Sequence, residues 1–477
     1  MRKLKIGYIP MFRGTARGDR EILERISKEL TDLSRTMDFD LKIGSEIVFG
    51  YDTAVKAVAE MNSFDPDFTF LGSYGATIGS AMIPMDKLKG LIGLWAVPEW
   101  ELTGRLPLNA FCGSMINAGM LAKFHTEKHI PFKWFYGYTD DPLFIDRFKV
   151  TFQALKAIVA LQESRIGLIG PVVDGFDYML VRESSIYDLY GATVDRHHSV
   201  EEVIKRAKDQ SEAAVKDELA AILAEGSKTC MVDDEAMNRF ARLSLALSDL
   251  ARDNGLNAIS MSCWTNIEFN YGNAPCSAIS RLNNKGIIAG CEADIDGAIG
   301  MIISRAMADA DAATMCDLVS VDRADDSLNI WHCGPAAGCL ANKCGVKWDH
   351  HFDMGHYEGD EWHGYGVVAD LTFKPGDITL SRISTEAKEL TAFGATMFDK
   401  ESYQGCSGWI KDYRMGGKPM TLAELLSVIY NNRVDHHMSF AYGNFESSLI
   451  EFANWKGVSV AKNTGYVDHM ELGTLGK

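Results

Sequence analysis

The stretch LKIGYIPMFRGTARGDREILERISKELTDLSRTM, residues 4–37, begins the pattern that decides the fold. Residues 4–12 form a short apolar run, which is typical of a buried β-strand. Residues 19–37 place apolar side chains at helical spacing. A strand, a loop and an amphipathic helix in that order form the repeating unit of a parallel sheet with crossover helices.

The same alternation runs through much of the chain. Residues 40–50 are strand-like, 52–64 helical and 66–75 strand-like again, and a second copy starts at RIGLIGPVVDGF, residues 165–176. After about residue 345, short β-like runs alternate with glycine-rich turns, which favours an antiparallel sheet or barrel. We therefore expect an α/β protein. It would have two Rossmann-like parallel α/β domains (1–160 and 161–345) and a C-terminal antiparallel β-barrel-type domain (346–477).

Composition excludes several classes of function. The 477 residues carry a formal net charge of −17, which disfavours binding to nucleic acid or to an anionic membrane surface. No run of 18 apolar residues predicts a membrane span. The apolar N-terminal run is broken by Gly7 and Pro10, so we interpret it as a strand rather than a signal sequence. Ten cysteines, spread singly, indicate reduced thiols and a cytoplasmic location.

One group of cysteines raises the question of zinc. Cys333, Cys339 and Cys344 lie close together in HCGPAAGCLANKCG, directly after His332. Structural zinc sites usually pair two close-spaced cysteine knuckles, and that spacing is missing here. We therefore interpret these cysteines as small buried thiols.

Acidic and histidine side chains follow several predicted strands. Glu292 follows the apolar run KGIIAGC, Asp317 comes after the next helix, and His332 ends another β-like run. Ligand sites form where strands of an α/β sheet end, so these side chains are candidates for one site. The pair His436 and His437 adds an imidazole, although neighbours in a strand point to opposite faces.

These motifs resemble the L-fucose isomerase and L-arabinose isomerase superfamily. The resemblance is carried by residues 263–300, Asp317, WHCG (331–334), PGDITLSRIS (375–384) and HHMSF (436–440), in that order along the chain. It implies two Rossmann-like domains followed by a barrel-type domain. It also implies a homo-oligomer, often a hexamer, and a small-molecule sugar as substrate.

The resemblance also implies a divalent ion, usually manganese, held by Glu292, Asp317 and His437. His332 falls on an active-site histidine of arabinose isomerases, and we group it with His436 as substrate-binding. His436 is expected to turn to the other face or to support the ligands from outside. Oxygen-rich ligation with one imidazole suits Mn²⁺ or Mg²⁺.

The implied reaction is aldose–ketose isomerisation through a cis-enediol. A divalent cation at the two sugar oxygens stabilises the developing charge, and carboxylates near it can move the protons. We assign Glu292 and Asp317 as the acid–base pair; which one takes the carbon-bound proton stays open.

The sugar itself is left open by the sequence. Arg13 and Arg17 follow the first strand, and in fucose isomerases an arginine of this loop contacts the sugar. An arginine here would suit a sulfonated sugar, so an isomerase converting sulfoquinovose to sulfofructose is the alternative substrate hypothesis. A non-catalytic sugar-binding protein is the second alternative, because tandem α/β domains also occur in sugar sensors.

Overall fold

The structure is a computed structural model that describes residues 1–12, 19–75, 79–125, 130–263 and 266–469. The chain divides into two compact units, Met1–Val159 and Ala160–Lys477. The division into three domains at 160/161 and 345/346 stays a prediction. Among the described residues, no helix has the length and apolar character that crossing a bilayer requires.

A parallel sheet forms the centre of the first unit. Its strands are β1 (Lys5–Met11), β2 (Asp40–Ile43), β3 (Phe68–Ser73), β4 (Leu91–Ala96) and β5 (Phe132–Tyr136). They pair in the order β2-β1-β3-β4-β5, with all neighbours parallel. The helices are α1 (Asp19–Met37), α2 (Tyr51–Phe64), α3 (Ala110–Lys123) and α4 (Pro142–Gln162). Strand β3 is buried along its whole length, as expected where helices cover both faces of a sheet.

The second unit opens with another alternation of strands and helices. Its strands here are β6 (Arg165–Ile169), β7 (Thr193–His198), β8 (Gly226–Lys228), β9 (Ala258–Met261) and β10 (Ile288–Gly290). The helices are α5 (Glu183–Tyr190), α6 (Val200–Lys208), α7 (Glu212–Glu225), α8 (Asp234–Asp253), α9 (Asn266–Tyr271), α10 (Cys276–Asn284) and α11 (Ile295–Ala308). Four of the strands form a parallel sheet in the order β10-β9-β6-β7.

The rest of the second unit is rich in strands. They are β11 (Thr314–Asp322), β12 (Ser327–His332), β13 (Val346–His350), β14 (Gly355–Glu358), β15 (Glu361–Gly364), β16 (Val367–Thr372), β17 (Gly376–Ser384), β18 (Glu389–Phe398), β19 (Cys406–Met415), β20 (Lys418–Pro419), β21 (His437–Tyr442) and β22 (Ser459–Val460). Two helices accompany them, α12 (Leu422–Asn431) and α13 (Glu446–Lys456). Strands β14 and β15 form a small hairpin of their own.

The large sheet of this unit has 11 strands and is mixed. Its path is β22-β18-β17-β21-β11-β12-β19-β16-β13-β8, with β20 on β19 and a further pairing of β18 with β19. The pairs β8–β13, β16–β19 and β18–β22 are parallel, whereas the other pairs in this sheet are antiparallel. The fold is therefore α/β with two parallel sheets and one mixed sheet, and the antiparallel barrel stays a prediction.

Helix α11 connects the parallel sheet to the mixed sheet. Its first turn is capped by Asp294, whose side chain accepts a hydrogen bond from the Gly297 N–H at 3.0 Å. Gly300 lets the helix approach β21 closely, since a Cβ added there would lie 3.0 Å from the Cβ of Ser439. The start of α11 and the start of β21 are thereby held against each other.

Candidate metal centre

Antiparallel register brings Asp317 beside His437. Asp317 of β11 lies directly opposite His437 of β21 and, on its other side, opposite Trp331 of β12. Directly opposed residues project from the same face, so the Asp317 and His437 side chains meet. Asp317 lies within β11 rather than at the end of a parallel strand, which corrects the expectation that led to it. The mixed sheet, not the parallel one, positions this carboxylate.

Glu292 reaches the same place from a tight turn after β10. Glu292 and Ala293 both have left-handed backbone angles, with φ of 58° and 57°. Such angles are unfavourable for residues with a Cβ and persist where the surrounding structure requires them, often at functional sites. The turn directs the Glu292 carboxylate toward His437 instead of along the helix that follows.

Both predicted carboxylate ligands lie near Nε2 of His437, Glu292 in a group with His332 and Asp317 in a group with His436. Nε2 of His437 lies 3.6 Å from Oε2 of Glu292 and 3.8 Å from Oδ1 of Asp317. Two donors bound to one octahedral ion at about 2.1 Å lie about 3.0 to 4.2 Å apart, so the separation of each carboxylate from His437 fits two donors of one ion. His437 Nε2 and Asp317 Oδ1 are also buried and have no hydrogen-bond partner among the described residues. The donor set of two carboxylates and one imidazole therefore fits a hard divalent cation.

Asp294, which was not identified from the sequence, orients the histidine ligand. Its Oδ2 accepts a hydrogen bond from His437 Nδ1 at 2.8 Å, which leaves Nε2 to face the carboxylates. The same carboxylate pairs with Arg382, whose guanidinium also binds Asp435 at 2.9 Å. A carboxylate behind a metal-binding histidine fixes the tautomer and ring orientation. The motif CEADIDGA offered only an N-cap signal for Asp294.

The electrostatic field of the site favours positive charge at His437. Burial acts to lower the pKa of His437, but the hydrogen bond and charge of Asp294, with Asp317 and Glu292, raise it above its ordinary value. Burial acts to raise the pKa of Glu292, but the hydrogen bond from His436 and the neighbouring histidines lower it. Glu292 is therefore kept ionised. The positive charge that the site favours at Nε2 of His437 can come from a proton or from a divalent cation.

His436 contacts Glu292 at the same centre. Strand β21 begins at His437, so strict strand alternation does not govern His436. Its Nε2 lies 3.2 Å from Oε2 of Glu292, and its Nδ1 lies 2.7 Å from the hydroxyl of Tyr178. A ring nitrogen of His436 also lies within 4.8 Å of ligand atoms of Asp317 and His437, so its role behind the ligands stays a prediction. Tyr178 was not identified from the sequence.

His332 lies at the edge of the same centre. Its ring is stacked on that of His437 at 5.4 Å between centroids. Its Nδ1 accepts the backbone N–H of Cys333 at 2.9 Å, so in the neutral ring the proton is on Nε2. Burial lowers the pKa of His332, which favours that neutral form. Because Nε2 is buried and lacks a partner among the described residues, it is suited to donate to a bound sugar oxygen.

Arg13 and Arg17 lie outside the described residues. Their assignment to substrate binding stays a prediction, as do the substrate-binding roles of His332 and His436.

Comparison with known proteins identifies relatives that share one name. A sulfoquinovose isomerase of Priestia aryabhattai is 26% identical over 77% of this chain and 78% of its own length. One of Alkalicoccus urumqiensis is 26% identical over 66% of this chain and 68% of its own. One of Clostridium sp. (strain MSTE9) is 28% identical over 52% of this chain and 55% of its own. These relatives confirm the predicted reaction class, an aldose–ketose isomerase.

Two other comparisons add little. No protein-family profile matches the chain, and the resemblance to L-fucose and L-arabinose isomerases stays a prediction. An ABC-transporter solute-binding protein of Agrobacterium vitis, solved with α-D-tagatopyranose, is 13% identical over 64% of this chain and 89% of that one. Its TM-score of 0.17 is too low to carry an argument about the fold.

Proposed function

We propose that this protein is a divalent-metal-dependent isomerase that converts sulfoquinovose to sulfofructose. The observation that carries the substrate is the match to relatives named sulfoquinovose isomerase, over 52% to 77% of the chain. The metal dependence is supported separately by the unpartnered His437 Nε2 and Asp317 Oδ1. Manganese as the ion, a homohexamer and a cytoplasmic location belong to the same proposal.

Glu292, Asp317 and His437 would hold the ion, with Asp294 fixing the tautomer of His437. When bound, the ion would supply Lewis-acid polarisation of two neighbouring sugar oxygens. The single imidazole and two carboxylates favour Mn²⁺ or Mg²⁺ over softer metals.

The chain's own residues provide the proton transfers. Glu292 is held ionised by His436 and lies close to where the sugar oxygens must bind, so it can accept a proton. Asp317 is the second carboxylate of the pair. One of the two takes the proton from one carbon and returns it to the neighbouring carbon. His332 Nε2–H donates to a sugar oxygen and orients the chain of the substrate.

The sulfonate requires a cation of its own. Among the described residues, Arg382 lies beside the centre, but Asp294 and Asp435 already neutralise it. Arg13 or Arg17 would then hold the sulfonate through charge-assisted hydrogen bonds. Alanine in place of whichever of these two arginines contacts the sulfonate should raise KM for sulfoquinovose and leave kcat largely unchanged.

A substrate panel tests this proposal. Manganese-loaded enzyme would be assayed on sulfoquinovose, D-glucose, L-fucose, L-arabinose and D-arabinose. D-Glucose is the matched control, because it differs from sulfoquinovose at C6 alone. Turnover of sulfoquinovose far above that of the neutral sugars supports the proposal. Efficient turnover of a neutral sugar would show that this sugar, and not sulfoquinovose, is the substrate. Binding of a sugar without any turnover would favour a non-catalytic sugar-binding protein.

A further inference from the structure

A cavity opens at the carboxyl edge of the parallel sheet in the second unit. Its volume is about 350 Å³, and it is lined by the ends of β6 and β7 and by the first residues of α6. Pockets of about 300 to 1,000 Å³ hold small molecules, and α/β sheets bind them at the carboxyl ends of parallel strands. The residues that line this cavity include none of those described at the candidate metal centre, so it is a separate place on the molecule.

His198 lines this cavity with two nitrogens that the fold does not use. Its side chain is only 5% exposed. Neither Nδ1 nor Nε2 has a hydrogen-bond partner within the part of the chain that the structure describes. An unpaired buried polar group destabilises a folded protein, so such groups normally have a partner. Two unpaired nitrogens on one buried ring beside a cavity therefore indicate a ligand that pairs with them.

Two carboxylates lie close to the ring of His198 without bonding to it. Oδ2 of Asp195 is 3.7 Å from Nε2, and Oε2 of Glu202 is 3.5 Å from Nδ1. Arg165 donates to that same oxygen of Asp195 at 2.7 Å, and Arg206 donates to Oε1 of Glu202 at 3.0 Å. Because arginines hold both carboxylates, the ring nitrogens stay available to a molecule in the cavity.

An irregularity in the strand pairing brings His198 to the cavity. Gly167 of β6 pairs with Asp195 of β7, but Ile169 pairs with His198, so β7 contains one extra residue. In a regular ladder His197 would lie opposite Ile169. Bulges of this kind re-aim a side chain and are frequent next to active sites. Here the bulge leaves His197 exposed and gives the buried position to His198.

The lining of the cavity does not suit a phosphate or another anion. Pro171, which lines it after β6, has no backbone N–H to donate. The hydroxyl of Ser199 already accepts the N–H of Glu202 in the first turn of α6, at 3.1 Å. The carboxylate of Glu201 also lines the cavity, and those of Asp195 and Glu202 lie beside His198. These three negative charges disfavour an anionic ligand.

A neutral ligand with several hydroxyl groups fits the lining. A hydroxyl both donates and accepts, so it can pair with either nitrogen of His198 in either tautomer, and it can donate to Glu201. Leu168 and Pro171 supply apolar surface for a carbon chain. A cation is disfavoured, because the guanidinium of Arg196 lines the same cavity.

We infer that this cavity is a binding site for a neutral polyhydroxyl compound, a polyol or an uncharged sugar. His198 is its central hydrogen-bonding residue, and Glu201 is the acceptor at its rim. The site is independent of the metal and of the sulfonated sugar proposed for the neighbouring centre. The loop that begins with Gly170 and Pro171 continues to Tyr178, which contacts His436. A ligand in the cavity would therefore bind against the loop that also reaches the centre.

Calorimetric titration of EDTA-treated protein with D-glucitol tests the inference. D-Glucitol has no carbonyl group and cannot be isomerised, and removal of metal prevents its chelation at the neighbouring centre. We expect saturable binding at one site per chain with a Kd on the order of 1 mM, as suits a small ligand held by a few hydrogen bonds. Inorganic phosphate should not displace it; displacement by phosphate would show an anion site and overturn the inference.

Substitutions of histidine by phenylalanine locate the binding. His198→Phe keeps a ring of similar shape but removes both nitrogens, so it should weaken D-glucitol binding about 10-fold or more. His197→Phe is the matched control, because it makes the same change at the adjacent, exposed position. It should bind like the parent, and so should His437→Ala, which alters the neighbouring centre. Unchanged binding in His198→Phe, or loss of binding in either control, would overturn the inference.

The stability of the ligand-free protein gives an independent readout. Because phenylalanine replaces two unpaired nitrogens by carbon, His198→Phe should unfold at a higher urea concentration than the parent. D-Glucitol should raise the urea midpoint of the parent and not that of His198→Phe. A variant that is less stable than the parent, or that fails to fold, would show that the fold itself uses these nitrogens. That result, or the absence of saturable binding to the parent, would overturn the inference.

Discussion

Replacing Asp294 by asparagine should weaken Mn²⁺ binding without removing a ligand. The change keeps the size of the side chain and its N-cap of α11 but removes the charge behind His437. Loss of a carboxylate partner to a metal-bound histidine typically weakens metal affinity 10- to 100-fold. That range corresponds to about 1.4 to 2.7 kcal/mol of binding free energy. Arg382 also loses the charge of its fully buried partner and keeps the half-buried Asp435, so the unfolding free energy should fall by about 3 kcal/mol.

Two measurements separate the effects on binding and on stability. Free Mn²⁺ can be quantified by electron paramagnetic resonance during titration of metal-free protein, and stability by urea unfolding. Asp296→Asn is the matched control. Asp296 is buried in the same helical turn, but it binds the backbone N–H of Thr385 at 2.9 Å instead of a ligand. It should alter stability and leave Mn²⁺ affinity unchanged. Folded Asp294→Asn protein that binds Mn²⁺ like the parent, or an equal loss of affinity in Asp296→Asn, would show that Asp294 does not support Mn²⁺ binding through His437.

Three further predictions concern other parts of the second unit. Burial raises the pKa of Glu268 from 4.5 to about 7, so the folded protein loses stability as the pH rises through that interval. Glu268→Gln should therefore be more stable than the parent by about 3 kcal/mol at pH 8 and similar to it at pH 4, as measured by urea unfolding. Tyr178→Phe removes the 2.7 Å hydrogen bond to His436 and should lower kcat about 2- to 10-fold with unchanged Mn²⁺ affinity, as a single lost hydrogen bond predicts. Thr421→Ala breaks the capping box with Glu424 at the start of α12 and should cost about 1 kcal/mol of unfolding free energy.

Elements with a strong local signal were predictable from the sequence. The helix over residues 19–37 has the predicted bounds, because helical periodicity depends on near neighbours. The first strand covers residues 5–11 of the predicted 4–12. Glu292 does follow a parallel strand, since an apolar run ending in an acid is also a local pattern.

Long-range pairings were not predictable in the same way. The register that opposes Asp317 to His437 joins strands more than a hundred residues apart, and no local pattern encodes it. Asp294 resembled an ordinary helix cap, although its second oxygen orients His437. The mixed character of the large sheet arises from parallel pairs such as β8–β13, which connect segments on both sides of residue 345. The three metal ligands Glu292, Asp317 and His437 were predicted from the family resemblance and not from their spacing in the sequence.

The most direct test of a metal-dependent isomerase is the turnover of sulfoquinovose by chelator-stripped protein before and after Mn²⁺ is restored. Stripping should abolish isomerisation, Mn²⁺ should restore it in the parent, and Glu292→Gln should stay inactive although it folds. Full activity in the stripped protein, or restored activity in Glu292→Gln equal to that of the parent, would contradict the assignment of this centre.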